Sequence, residues 1–288
     1  MRIFVCLGLI VLFFAALPIN AASVWKVSKN GSQIFLGGTV HLLGAKDHPL
    51  PKAYDQALSL SQKLVFEANI DETKTPEFQV QAMGVMLLPQ GVTLDQVLKP
   101  STMAALQAYM TKNALPLGQF MGFTPAGLAL ILQMKELQEM GMQEQFGVDA
   151  TLHAKAKAQG KTIAALESVE FQLDMLKNMA NGEEDKFILY TLRDIARAPQ
   201  LVGSLVAAWR EGDMEKMERE GLMDMRVEYP QMHKTLVLQR NANWLPKIEA
   251  MLRETETVEY VLVGALHLAG AEGLLQQLKL KGYVVSRL

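Results

Sequence analysis

The chain has 288 residues, 50% of them hydrophobic and 20% charged, with 28 Lys plus Arg against 30 Asp plus Glu. It buries a substantial core, which excludes an intrinsically disordered chain, and a formal charge of -2 with no basic block excludes a surface made for the phosphate backbone of nucleic acid. Gly and Pro are ordinary in number, and the single cysteine, Cys6, excludes an internal disulfide scaffold.

Arg2 is followed by an apolar run over residues 3–17 and then by Pro18-Ile19-Asn20-Ala21-Ala22. That three-part pattern predicts a secretory signal peptide over residues 1–21, cut after Ala21. An uncleaved anchor is the alternative, but the run is shorter than the ~20 residues that span a bilayer. Periplasmic or secreted location is therefore expected, with no stable membrane insertion after leader removal. Residues 22–288 read as one domain, because no Pro/Ser-rich linker or repeat divides them.

Residues 23–29 and 33–36 flank Asn30-Gly31, a strong signal for a β-hairpin at the mature N-terminus. The second strand runs into Gly37-Gly38-Thr39-Val40-His41, so His41 stands just beyond a strand end. A helix is predicted over 52–62, and Lys63-Leu64-Val65-Phe66 reads as a buried strand with Glu67 at its exit. A large helical insert follows over about 75–255, broken near Pro89, Pro116 and Pro125. Within it residues 162–166 form a short strand ending at Glu167, helices cover 169–181 and 209–225, and residues 236–253 are helical despite Pro246. Strand 259–263 leads into Gly264-Ala265-Leu266-His267, then helix 270–280, Gly282 as its cap and strand 283–286. The fold class that results is α/β, a mixed central β-sheet with flanking helices.

The chemistry-bearing signal is the pair Gly38-Thr-Val-His41 and Gly264-Ala-Leu-His267, each directly after an apolar strand. Composition alone predicts about 0.4 Gly-x-x-His matches, so two at strand ends are less easily accidental. Ligands in open α/β sheets bind outside the carboxyl ends of the strands, which suits both positions. Two histidines resting in turns explain the same pattern. Glu67 at a third strand exit separates the readings, because two imidazoles and one carboxylate form a donor set for a divalent metal ion with an open position.

With these stretches in place the chain resembles the TraB/GumN family, related to the Tiki-type metalloproteases. The matching segments are Ile34-Phe35-Leu36-Gly37-Gly38-Thr39-Val40-His41, Leu64-Val65-Phe66-Glu67, Gly147-Val148-Asp149, Leu166-Glu167, Arg240-Asn241 with Trp244, and the run from Val263 through Gly270. The resemblance implies a metal-dependent, hydrolase-like site on His41, Glu67 and His267 and a Mn, Co or Zn ion. Gly37 is an extra glycine relative to the usual first motif, which leaves the resemblance intact, and with Gly38 it permits a sharp turn or the close approach of another backbone.

Secondary candidates surround these three. Glu167 reads as a partner or base of the site or as a helix-start carboxylate, and Asp149 as a helix cap or a site-orienting carboxylate. Arg240 reads as a substrate or oxyanion contact or as a structural ion pair, with Asn241 beside it. His153, His48 and His233 are expected at the surface. The methionines are assigned to helix packing in preference to a peptide groove. No serine-nucleophile elbow, His-Glu-x-x-His run, Walker loop or dinucleotide glycine pattern is present. The expected function is metal-dependent hydrolysis of a peptide or related acyl bond, with a catalytic set of Glu67, Glu167 and Arg240 and substrate contacts from Arg240 and Asn241. The alternative is a peptide-binding or sequestering protein without turnover.

Overall fold

The computed structural model describes residues 22–254 and 256–288, and the expected leader, residues 1–21, lies outside them. Strands β1 (Val24–Lys29) and β2 (Ser32–Thr39) form the expected hairpin. Its turn puts Asn30 at φ 52° and Gly31 at φ 90°, the left-handed pair that a tight hairpin demands. With β3 (Lys63–Phe66), β4 (Thr162–Ala165), β5 (Glu259–Gly264) and β6 (Val284–Arg287) they make one mixed six-stranded sheet in the order β4-β3-β5-β2-β1-β6. The four strands β4, β3, β5 and β2 run parallel, whereas β1 is antiparallel to both of its neighbours.

Side-chain alternation divides the core into two layers. Phe35, Leu64, Phe66, Tyr260 and Leu262 face one way, against Tyr54 and Leu58 of α1 (Lys52–Leu60), Val148 and Leu152 of α6 (Val148–Ala158) and Trp209. Ile34, Leu36, Val65, Val261 and Val263 face the other way, against Trp244 and Ile248 of α12 (Gln239–Met251) and Leu274 and Leu278 of α13 (Leu274–Leu280).

The helical part is split by β4 into residues 76–158 and 169–251. Its first half contains α2 (Pro76–Met86), α3 (Leu94–Val97), α4 (Pro100–Lys112) and α5 (Pro125–Glu139). Leu94, Leu106, Leu128 and Leu132 from these helices meet Ile188 and Ile195 of α8 (Glu184–Glu211) in a core of their own. Sequence reading started a helix at residue 209. Instead α8 begins 25 residues earlier, and its in-helix Pro199 and mixed polarity hide that continuity from pattern reading. After α7 (Val169–Asn178), α9 (Met214–Gly221), α10 (Met223–Glu228) and α11 (Pro230–His233), a π-helical turn over Lys234–Leu238 leads directly into α12.

Two histidine assignments need correction. His153 is 5% exposed, packed edge-on to Phe66 and 3.4 Å from Asp71, because its helical face turns onto the sheet while the lysines beside it reach solvent. His233 is 3% exposed. His48 is half-buried, with Nε2 2.7 Å from the Phe146 carbonyl. Among the described residues no helix is long and apolar enough to cross a membrane.

Candidate functional site at the carboxyl edge of the sheet

Parallel pairing brings the motifs together. Gly38 is opposite Val263 and Thr39 opposite Gly264, so the two Gly-x-x-His segments leave adjacent strands almost level. On the other side β5 pairs with β3, and the Glu167 N–H donates to the Glu67 carbonyl just beyond the β3–β4 ladder. The order β4-β3-β5-β2 therefore sets Glu167, Glu67, His267 and His41 along one edge. Close strand approach explains the glycines. A Cβ on Gly37 would lie 2.8 Å from both Leu262 and Tyr260, and one on Gly38 3.1 Å from Ala265 and Ser23. Gly37 is thus required by packing, as the close approach expected at the paired glycines implies.

Arg240, on the first turn of α12, lies at the centre of the edge. Its Nη2 donates to Glu67 Oε2 at 2.5 Å and to Glu167 Oε1 at 2.6 Å, its Nε donates to Glu167 at 3.1 Å, and its Nη1 meets His267 Nε2 at 3.1 Å. The guanidinium also stacks 4.5 Å from the Trp244 ring, whose Nε1 donates to Glu167 Oε2 at 2.9 Å. Glu167 is therefore a partner of the site, and Ser168 caps α7 by accepting from the Phe171 N–H. Glu67 completes its bonding by accepting from the Gly264 N–H at 2.6 Å. Burial alone would push its acidity down, but Arg240, with lesser help from the histidines, overcomes that and lowers its pKa to about 2.

The imidazole of His267 has a defined tautomer. Asn241 Nδ2 donates to the carbonyls of His267 and Glu272, so its Oδ1 accepts the proton on His267 Nδ1 at 2.8 Å. The Nε2 lone pair then faces Arg240, with Glu67 Oε1 3.9 Å away. Burial lowers the His267 pKa to about 4, so the ring is neutral across the physiological range.

His41 differs in each respect. Its side chain is 58% exposed, and its Nδ1 is 2.8 Å from Asp149 Oδ2 in the first turn of α6. Attraction to Asp149 raises its pKa to about 9. Val148 N–H donates to the Val40 carbonyl at 3.0 Å, and a Cβ on Gly147 would lie 2.1 Å from the His41 carbonyl, so α6 can approach this loop only through a glycine. The 108 residues between His41 and Asp149 leave their pairing without a sequence signal. Gln172, which donates to Glu167 Oε1 at 3.0 Å, gave none either.

His41, Glu67, Arg240 and His267 all line one cavity of about 410 Å³ whose walls, apart from Thr39, are otherwise apolar. Their chemistry matches a divalent cation, but their arrangement does not: a guanidinium already occupies Glu67 Oε2 and the His267 lone pair. Among the described residues no three His, Cys, Asp or Glu side chains are grouped closely enough for metal binding.

The fold and the edge define a class: a mixed-sheet α/β protein with two strand-end histidines and two strand-end glutamates gathered around one arginine. The chain belongs to the TraB/PrgY/gumN family, whose sequence profile matches residues 23–287. It is similar to proteins named "Uncharacterized protein YbaP" from Escherichia coli (strain K12) and from Shigella flexneri, each 26% identical over 255 residues, covering 84% of this chain and 86% of the relative. No solved structure matches.

Proposed function

We propose that the protein is an exported hydrolase acting on a peptide or related acyl bond. The observation that carries this reading is the meeting of a protonated and a neutral imidazole beside one arginine in the same cavity. Titratable groups whose environments push their pKa values apart supply an acid and a base at one pH. His41 is the acid and His267 the base.

In that chemistry a substrate carbonyl oxygen accepts from Arg240 Nη1, drawing it off His267 Nε2 and stabilising the developing oxyanion. His267 then takes a proton from water, the water oxygen bonds to the carbonyl carbon, and the C–N bond breaks as His41 protonates the departing amine. Proton transfer from His267 to His41 restores both. Glu67 and Glu167 keep Arg240 in place and balance its charge.

A second reading assigns a Mn, Co or Zn ion to His41, Glu67 and His267. Two features favour it: Asn241 orients His267 as outer partners orient metal-bound imidazoles, and the Arg240, Glu67 and Glu167 trio carries one excess negative charge. It requires Arg240 to give up Glu67 Oε2 and His267 Nε2 first.

The deciding measurement is peptide-library cleavage by chelator-treated protein, with and without added Mn, Co or Zn. Cleavage without metal, lost in His267→Ala, is the expected result. Turnover only on metal addition establishes the second reading. Binding without cleavage under every condition overturns the hydrolase and leaves a sequestering protein. Export is tested separately by mass spectrometry of periplasmic protein, which should begin at Ala22 or Ser23.

A further inference from the structure

The site opens on two sides. His41, Leu42 and Glu67 line both the 410 Å³ cavity and a second one of about 320 Å³, so these residues form the saddle between the two. The second cavity is lined by Glu144 and Asp149 and by no Lys or Arg. On the opposite side the first cavity shares Leu205, Met225, Leu236 and Leu266 with a chamber of about 740 Å³ beneath α8. A reactive centre in a blind pocket receives the end of a substrate, whereas one at a saddle receives its middle.

The lining indicates what lies there. The wall that the first cavity shares with the chamber is made of aliphatic and thioether side chains, Leu205, Met225, Leu236 and Leu266. Farther from the saddle the chamber adds Leu176, Phe187 and Leu201 and the charged side chains of Asp194, Arg197 and Arg219. Polar groups interspersed with apolar ones are what a polypeptide presents, and Met225 gives the wall adaptability to different side chains.

We propose that the three cavities form one cleft crossing the His41–Glu67 saddle, and that it takes the interior of a peptide chain. A bulky apolar residue enters the chamber beneath α8, and the other flank, neutral or cationic, lies along Glu144 and Asp149. This rests on the hydrolase reading for its chemistry but not for its geometry. It makes the enzyme endo-acting, and makes the helical insert the determinant of which bond is cut.

The test uses the whole mature protein, a mixture of defined 12-residue peptides, and fluorescence polarisation of labelled peptides blocked at both ends. Variants are Ser204→Trp, which fills the chamber away from the saddle, and Glu144→Lys. The expected result is cutting at interior bonds next to Leu, Phe or Met, with blocked peptides as good as free ones. Ser204→Trp should lower binding of the Leu and Phe peptides at least tenfold, with circular dichroism unchanged, and Glu144→Lys should disfavour basic residues on the second flank. Removal of terminal residues only, or rejection of blocked peptides, overturns the proposal while leaving the hydrolase intact. If nothing is cut, the hydrolase fails. The cleft then stands or falls on binding alone: loss of apolar-peptide affinity in Ser204→Trp supports it, and unchanged affinity overturns it.

Discussion

Asp149 shows how one carboxylate sets the working range of the site. It raises His41 to about 9, and burial lowers His267 to about 4. With His41 needed protonated and His267 needed neutral, kcat/KM should be bell-shaped, with limbs near those two values. Asp149→Asn removes the charge but keeps the shape. The alkaline limb should then move from about 9 towards the ordinary 6.5 of histidine, with the acid limb unmoved. A pH–rate profile or an NMR titration of His41 checks this, and an unmoved alkaline limb would mean that another group sets it. For Glu67→Gln, turnover should drop by about 100-fold or more, the order seen when an oriented charge at a reacting centre is lost. Melting by circular dichroism separates that loss from unfolding, since Arg240 still keeps Glu167 as a partner.

The strands show what pattern can and cannot convey. Each strand of the parallel core was legible because three or four apolar residues ended in Gly or Glu, and the hairpin because Asn30-Gly31 permits only a tight turn. The presence of His41, Glu67 and His267 at strand ends was legible for the same reason. Their convergence was not, since it depends on the order β3-β5-β2, which no local pattern encodes. Nor was the central place of Arg240: a charged residue on a helix looks alike in sequence whether it faces water or two buried glutamates. Glycine substitutions test the strand account directly. Gly37→Ala should destabilise by about 1–3 kcal/mol, the usual cost of overpacking, because Leu262 and Tyr260 must move to admit the methyl group. In α2, Gly84→Ala meets nothing within 4 Å and should stabilise by about 0.4–1 kcal/mol. Urea denaturation of the two variants checks both signs, and a neutral Gly37→Ala would mean that β2 and β5 are not packed as described.

At the scale of the whole molecule the same ionisations govern stability. Folded His267 is held below 6.5, so the unfolded chain binds more protons between about 4 and 6.5 and this contribution is lost as pH falls through that window. His41 is held above 6.5, so its contribution is present below 6.5 and lost as pH rises towards about 9. Glu67 adds a third, complete above 4.5 and lost as pH falls to about 2. Together these give a melting temperature highest near pH 6 to 7, and Asp149→Asn should flatten only the alkaline side. Calorimetry across pH 4 to 9 checks this, and a steep alkaline decline surviving in Asp149→Asn would remove His41 as its source. The π-helical turn over Lys234–Leu238 has a reach beyond its five residues. One added residue in a helix advances the phase of everything after it by about 100°. Met232, ahead of the turn, packs in the insert with Tyr229, while Arg240 and Trp244, behind it, face the sheet edge. The helix is thus indexed like a key cut for two locks. Deleting Thr235 should leave its helicity unchanged and rotate Arg240 away from Glu67, abolishing turnover without unfolding the insert.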